Sequence, residues 1–266
     1  MSVAGETVKK EPIAGEAVAA LAARTSFRFP RELVIGLVVF ALAWEMLSWI
    51  VPPFVIPGWR RIFTSLVELP VDFVLITLAR VAVALLLSFA LGLALAVAMY
   101  LWATFERYAR PIVRLFMAVP VICWILFAVL WFKSVEFRIG FVLVVTCAPV
   151  FLIDALDGMR GVSKDLRDML RSFRPTRTQF FTKLVLPATV PVIITSWKIN
   201  LSLAIRVVTI AELVGAVSGI GYGLTVAQEL FSIADVFAWT LVLVAILFVA
   251  EGVLIAIETR MLRWRT

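Results

Sequence analysis

The chain contains no histidine and only two cysteines among its 266 residues. Histidine is the side chain that most often serves as an acid–base catalyst or a metal ligand near neutral pH. The cysteines, Cys123 and Cys147, both lie inside apolar runs, so they indicate neither a disulfide framework nor a metal site. No pair of carboxylates is placed to work as an acid and a base. The sequence therefore predicts no catalytic residue, no metal site and no cofactor bound by this chain.

Charged residues are scarce as well, at 16% of the chain against about 25% in soluble proteins. Apolar residues make up 63%, and the mean hydropathy is +1.05. A water-soluble fold of this length has too small a core to hide so much apolar surface. The net charge of +7 does not indicate nucleic acid, because the basic residues lie in loops beside apolar runs, as in membrane proteins. The composition predicts an all-α integral membrane protein.

Six apolar stretches predict about six transmembrane helices, each of which needs about 20 residues to cross a bilayer. They cover residues 33–51, 73–102, 112–132, 139–153, 190–214 and 237–257. In the second stretch Ala84, Ser88, Gly92 and Ala96 recur at every fourth residue, which predicts a flat stripe for close helix packing. Residues 54–72 are predicted to contain one short interfacial helix. The glycine-rich segment 218–223 can turn sharply; a simple turn is favoured over an outer gate or a contact with a binding protein.

The basic residues predict how the chain is oriented in the membrane. With both termini in the cytoplasm, and with Arg114 at the start of the third stretch counted in the inner loop, the inner segments hold 18 lysines and arginines and the outer segments hold four. This distribution follows the positive-inside rule. Residues 1–32 are then a flexible cytoplasmic tail, 33–259 the transmembrane domain and 260–266 a basic cytoplasmic tail. The cytoplasmic loop 154–187 is the largest segment outside the membrane. No phosphate-binding P-loop pattern occurs, so any ATP hydrolysis requires a separate chain.

The cytoplasmic loop predicts two short helices. Ser163 caps the first helix, and Pro175 ends it. Thr176 and Gln179 form a capping box that begins the second helix, which Pro187 is expected to end. The first helix places four apolar side chains on one face, namely Leu166, Met169, Leu170 and Phe173. This face requires a cover, which is either the bilayer surface or a partner protein.

The loop also resembles the cytoplasmic loop of binding-protein-dependent ABC importer permeases. That family has Glu-Ala-Ala, three residues, Gly, nine residues, Ile, one residue and Leu-Pro. The same spacing here places Asp168-Met169-Leu170, Arg174, Leu184 and Leu186-Pro187, with arginine in place of the family's glycine. Further similarity lies in Val55-Ile-Pro57, the segment 110–120, Asp157-Gly158, Ala211-Glu212 and Gly219-Ile-Gly221. Together these segments are similar to the branch that imports nitrate, sulfonates and taurine.

This resemblance implies a type I ABC importer permease fold in the bacterial inner membrane. It implies a second permease copy as a homodimer, two ATPase subunits that bind ATP and magnesium, and an extracytoplasmic solute-binding protein. It also implies that the loop docks a coupling helix on the ATPase. The residues implied for this contact are Asp168, Met169, Leu170, Phe173, Arg174, Leu184, Leu186 and Pro187.

The fifth apolar stretch carries five polar residues within an arc of about 120° on one helix face. They are Lys198, Ser202, Arg206, Thr209 and Glu212. An ionisable residue inside a span costs about 2.5–3.5 kcal/mol, so this face is not expected to meet lipid. One hypothesis is that it lines a translocation path in which Arg206 meets an anionic solute. The other is a structural ladder, in which Lys198 extends to the cytoplasmic interface and Arg206 pairs with Glu212 or another span.

Together, these observations predict a transport protein with no enzymatic activity of its own. The solute is expected to be a small anion such as nitrate, a sulfonate or taurine, and a neutral pyrimidine-like precursor is the alternative. An ion-driven transporter is disfavoured because the chain shows no inverted repeat. A membrane-embedded enzyme is disfavoured because the chain lacks the catalytic side chains such an enzyme would use.

Overall fold

A computed structural model describes residues 31–261. Every regular secondary-structure element in that range is a helix. Most of the two predicted tails, residues 1–32 and 260–266, lies outside this range. The helices are α1 (Arg31–Ile50), α2 (Trp59–Glu68), α3 (Val71–Leu101), α4 (Ala103–Ala118), α5 (Val121–Trp131), α6 (Val135–Arg160), α7 (Lys164–Ser172), α8 (Arg177–Phe180), α9 (Leu186–Gly215), α10 (Ile220–Glu229) and α11 (Ile233–Met261).

Helix α1 belongs to a compact unit that ends at Pro52, and the remaining helices form a second unit. The ends of α1 lie within two residues of the ends of the first predicted span, 33–51. The short helix predicted in residues 54–72 is α2.

The centre of the second unit is a bundle of α3, α6 and α9. The predicted small-residue stripe of α3 is buried there, and a side-chain carbon at Gly92 would lie 2.7 Å from the backbone oxygen of Ala148 on α6. Beside it Phe89, Phe151 and Trp197 bring one aromatic ring from each of the three helices, with centroids 5.3–5.4 Å apart. The stripe thus lets two helices approach until backbone and side chain touch, as predicted.

Four helices in the described range are long and apolar enough to cross a membrane: α3, α6, α11 and a continuous helix over residues 178–215, which includes α9. Helix α6 is longer at both ends than the predicted fourth span and extends to Arg160, seven residues into the predicted loop. The apolar part of α1, Val34–Ile50, is shorter than these four helices. Six spans and two cytoplasmic termini therefore stay predictions.

The third predicted span, residues 112–132, is not one continuous helix. Residues 103–131 form α4 and α5, which meet at an angle of 93°. The break falls at Val119 and Pro120, where the backbone is extended. Proline disfavours the helical conformation of the residue before it, so α4 ends before Val119, and Pro120 is the N-cap of α5.

The prediction that Pro187 ends the second loop helix is also wrong. Helix α8 continues through a π-helical turn, Phe181–Val185, directly into α9. In that turn the amide of Leu186 donates to the carbonyl of Phe181, five residues earlier. Proline lacks the amide that an α-helix needs, and the wider turn beside it lets the helix continue past position 187.

The glycine-rich segment 218–223 was predicted to turn, and the structure confirms this for only its first two residues: the chain turns over residues 216–219, where Gly219 has φ +104°. The next residues form α10, which the sequence did not predict because Gly221 and Gly223 weaken a helix. Their lack of side chains is required by packing. A side-chain carbon at Gly223 would lie 2.5 Å from the indole ring of Trp239 on α11.

Candidate functional site

Helix α7 lies where the sequence placed the first loop helix. The Ser163 hydroxyl accepts a hydrogen bond from the amide of Leu166 at 3.4 Å and so caps the helix. Its predicted apolar face is left uncovered by the described residues: Leu166 is 45% exposed, Met169 57% and Phe173 76%. Leu170 on the same face is half-buried. An apolar face this exposed at the end of a helical bundle is typical of a contact surface.

The connection after α7 has the geometry that the family's glycine would provide. Arg174 has φ +50°, in the left-handed region that favours glycine, and its amide donates to the carbonyl of Arg171 at 2.9 Å. The predicted capping box follows directly. The Thr176 amide donates to the side chain of Gln179 at 3.0 Å, and the Gln179 amide donates to the hydroxyl of Thr176 at 3.2 Å.

The remaining residues implied for coupling have different environments. Asp168 lies on the side of α7 away from the apolar face, 3.8 Å from Arg171. Leu184 is half-buried in the π-helical turn, whereas Leu186 is 43% exposed and Pro187 is exposed at the start of α9. Between them, Val185 is fully buried against Met99, Leu152 and Met159. The second half of the loop is thus anchored in the bundle, while α7 projects from it.

Charged side chains tie α7 to the helices beside it. Arg167 donates to the backbone carbonyl of Arg160 at the end of α6, and Arg160 pairs with Glu106 of α4. The guanidinium of Arg171 lies 6.0 Å from the ring centre of Phe180, within the range of a cation–π contact. Helix α7 is thus joined directly to α6 and α8, and through Arg160 indirectly to α4.

The five polar residues of α9 do not share one environment. Lys198 pairs with Glu258 of α11, a partner the sequence did not indicate. Ser202 is half-buried, and the hydroxyl of Thr209 donates to the carbonyl of Ile205 in its own helix. Glu212 is buried in a charge cluster described below, and Arg206 does not pair with it.

Arg206 lies on the side of α9 that the rest of the described chain leaves open. The neighbours on that side are Ile199 and Ile210, which are 51% and 43% exposed. Among the residues that the structure describes, the exposed guanidinium of Arg206 has no hydrogen-bond or ion-pair partner. An arginine on an otherwise apolar face of a spanning helix requires water or a further protein surface.

A buried charge cluster was missed by the sequence analysis. Arg80 of α3 donates to Glu212 of α9 at 2.7 Å and makes two hydrogen bonds to Glu136 of α6, at 2.5 and 2.9 Å. It also donates to the backbone oxygen and the hydroxyl of Ser218, at 2.8 and 3.0 Å. One guanidinium therefore joins three helices to the glycine-rich turn.

Glu212 is the centre of this cluster, with a side chain that is 0% exposed. Its carboxylate accepts from the hydroxyl of Thr77 and from the amide of Gly221, each at 2.9 Å. The turn wraps the carboxylate so closely that a side-chain carbon at Gly219 would lie 2.3 Å from a carboxylate oxygen. Buried charges are tolerated when they are paired and fully hydrogen-bonded, and this cluster meets both conditions.

The sequence carried a partial signal for the cluster. Arg80 and Glu212 are ionisable residues within predicted spans, which by itself predicts a charged partner for each. Their pairing could not be inferred, because they lie 132 positions apart and several other ionisable residues also lie in or near spans.

Comparison with known proteins assigns the family. Residues 88–263 match the family model described as "Binding-protein-dependent transport system inner membrane component". The chain is 27% identical over 190 residues to the formylaminopyrimidine transport permease of Halalkalibacterium halodurans, covering 71% of this chain and 76% of that protein. It is 26% identical over 259 residues to the taurine transport system permease of Escherichia coli, covering 91% and 94%.

Among solved structures, a chain of the MetNI methionine ABC transporter in an inward-facing conformation has the same fold. The TM-score is 0.64 at 20% sequence identity, and the match covers 74% of this chain and 95% of that one. With the family model matching well over half of its residues, the chain belongs to the binding-protein-dependent transport system inner membrane components and is a multi-pass ABC importer permease.

Proposed function

We propose that two copies of this chain form the membrane path of an ATP-driven importer for a small anion such as nitrate, a sulfonate or taurine. Two partner ATPase subunits bind ATP and magnesium and hydrolyse the ATP. An extracytoplasmic binding protein delivers the solute. The family to which the chain belongs supplies the permease component of importers that work with such subunits, and its taurine relative supports a small sulfonate.

The observation that carries the proposal is the exposed apolar face of α7. Leu166, Met169 and Phe173 project from a capped helix that Arg167 ties to the end of α6 and Arg171 to Phe180 of α8. A capped and anchored helix is suited to transmit force, whereas a flexible loop is not. Large exposed apolar side chains around an aromatic residue are also what interface hot spots consist of.

The open face of α9 supports both the second copy and the path. A lone arginine among Ile199 and Ile210 is costly against lipid and is stabilised when the face meets a partner or an aqueous path. Between two copies, Arg206 would contribute positive charge at the place where an anion passes. The Lys198 ammonium is already paired with Glu258, so it contributes less.

A neutral solute is the second candidate, and the formylaminopyrimidine permease relative favours it. That relative and the taurine permease are almost equally similar to this chain, at 27% and 26% identity. Positive charge at Arg206 is the feature that favours an anion over a neutral pyrimidine.

The test is to purify the tagged permease from its native host in mild detergent and to identify the proteins that accompany it by mass spectrometry. An ATPase subunit at one copy per permease chain is the expected result. A pure permease, under conditions that preserve other membrane complexes, would contradict the proposal and favour an ion-driven transporter. In that case α7 would be a helix that lies on the membrane surface.

A further inference from the structure

Helix α4 presents three different sides, and one of them packs against the apolar core of the protein. Ala109 and Val113 lie against the cluster formed by α3 and α6. A second side is apolar and exposed: Phe105 is 40% exposed, Tyr108 70%, Ile112 56% and Leu115 66%. At about 100° per residue, this side is centred about 150° from the arginines of the helix.

The third side carries three arginines that line one open groove. Its lining residues are Ala103, Glu106, Arg107, Arg110, Pro111 and Arg114. The carboxylate in the groove is already neutralised, since Glu106 pairs with Arg160 and lies 3.5 Å from Arg110. Arg110 also lies 3.9 Å from Asp157, and its Nε has no hydrogen-bond partner in the described structure.

Arg107 and Arg114 are exposed one above the other, two turns apart on this side. Among residues 31–261 neither guanidinium has a hydrogen-bond or ion-pair partner. The groove therefore keeps an excess of positive charge, and the row of exposed apolar side chains lies on nearly the opposite side of the same helix.

We propose that α4 lies along the membrane surface and binds the phosphate of anionic phospholipids through Arg107 and Arg114. A helix with a basic side opposite an exposed apolar side is the type that lies in the bilayer interface and prefers anionic lipids. The bend of 93° supports this position, because it turns α4 across the direction of the apolar helix α5. The predicted orientation places the first half of α4, residues 103–111, on the cytoplasmic side, where anionic lipid is concentrated.

Arginine suits this ligand better than lysine would, because its planar guanidinium donates two parallel hydrogen bonds to a phosphate. The lipid's acyl chains would cover Tyr108 and Ile112, and its headgroup would reach the groove. A free inorganic anion would use the arginines and leave the apolar side uncovered. The lipid therefore accounts for both exposed sides.

The experiment is native mass spectrometry of the full chain in mild detergent, titrated with dioleoylphosphatidylglycerol and separately with dioleoylphosphatidylcholine. The test variant is R107Q/R114Q. The matched control is R60Q/R61Q in α2, which removes two other exposed arginines that have no side-chain partner in the described structure. Both variants lose two positive charges and no internal contact, so both are expected to fold.

We expect the wild-type protein and R60Q/R61Q to retain phosphatidylglycerol in preference to phosphatidylcholine. The affinity for phosphatidylglycerol should fall about fivefold for each arginine removed from α4, and R107K/R114K should keep most of it. Equal losses in both glutamine variants would overturn the proposal in favour of net charge alone. Displacement of the lipid by millimolar inorganic phosphate, or reduced uptake with unchanged lipid binding, would assign the arginines to a soluble anion instead.

Discussion

Arg80 pairs with two carboxylates that differ greatly in exposure. The side chain of Glu212 is 0% exposed and that of Glu136 is 64% exposed. Removing one partner of a buried ion pair leaves the other charge without compensation, whereas an exposed carboxylate is largely replaced by water. The two glutamates should therefore differ in what they contribute to stability, although each lies within 2.7 Å of the same guanidinium.

Glu212→Ala should destabilise the protein by about 3–5 kcal/mol, because Arg80, Thr77 and the amide of Gly221 all lose their acceptor. Glu136→Ala serves as the matched control and should cost about 1 kcal/mol or less. The measurement is thermal unfolding of each purified variant in the same detergent. Equal losses of stability in the two variants would show that burial does not distinguish the two pairs.

Arg174 occupies the one position of the family's loop pattern where the expected glycine is missing, and it still adopts the glycine-like backbone at φ +50°. A non-glycine residue in this conformation costs about 1–3 kcal/mol. Arg174→Gly should therefore slow amide hydrogen exchange in α7, and Arg174→Val should speed it, because a β-branched residue tolerates positive φ least. Faster exchange in the glycine variant would mean that the arginine side chain itself stabilises the turn.

Helix α7 as an element offers the sharpest test of docking. Phe173→Ser should weaken binding of the partner ATPase at least tenfold, because truncating an aromatic anchor typically costs 2 kcal/mol or more. The control is Phe137→Ser at the opposite end of α6, since Phe137 is 71% exposed and Phe173 is 76% exposed. Binding is measured as the ATPase retained by each immobilised permease variant. If the two variants retain the same amount, α7 is not the docking helix.

Elements whose signals are local could be predicted from the sequence. The small-residue stripe of α3, the Ser163 cap and the Thr176–Gln179 capping box each depend on residues within four positions of one another, and all three are present. The long helices α3, α9 and α11 were also expected, because a run of apolar residues is itself the signal.

Elements that depend on tertiary contacts could not be predicted. Helix α10 contains glycines that oppose a helix locally, and it forms because Gly221 packs on Glu212 and Gly223 on Trp239. Continuation of the helix past Pro187 depends on a π-helical turn that has no sequence signature. The partners of Lys198 and Glu212 lie 60 and 132 positions away, respectively, so no pattern in the chain joins them.

For the whole molecule, three basic residues lie seven or more residues from either end of their predicted spans, and they differ in how their charge is compensated. Arg80 pairs with Glu136 and Glu212, and Lys198 pairs with Glu258. Arg206 is exposed and has no partner among the described residues. The proposed dimer, with an aqueous path between its copies, would remove the cost of about 2.5–3.5 kcal/mol that an arginine facing lipid carries.

Arg206→Gln should therefore leave the assembled transporter intact and lower uptake of an anionic solute at least tenfold, because one direct charge contact contributes about 1.5–3 kcal/mol. Arg206→Lys keeps the charge and should restore part of the uptake, and labelled taurine and nitrate are the anions to compare. Assembly is measured separately, as ATPase retained by the variant permease. Loss of the assembled complex would make Arg206 a structural residue of the dimer. Normal uptake by an intact glutamine variant would exclude its contact with the solute.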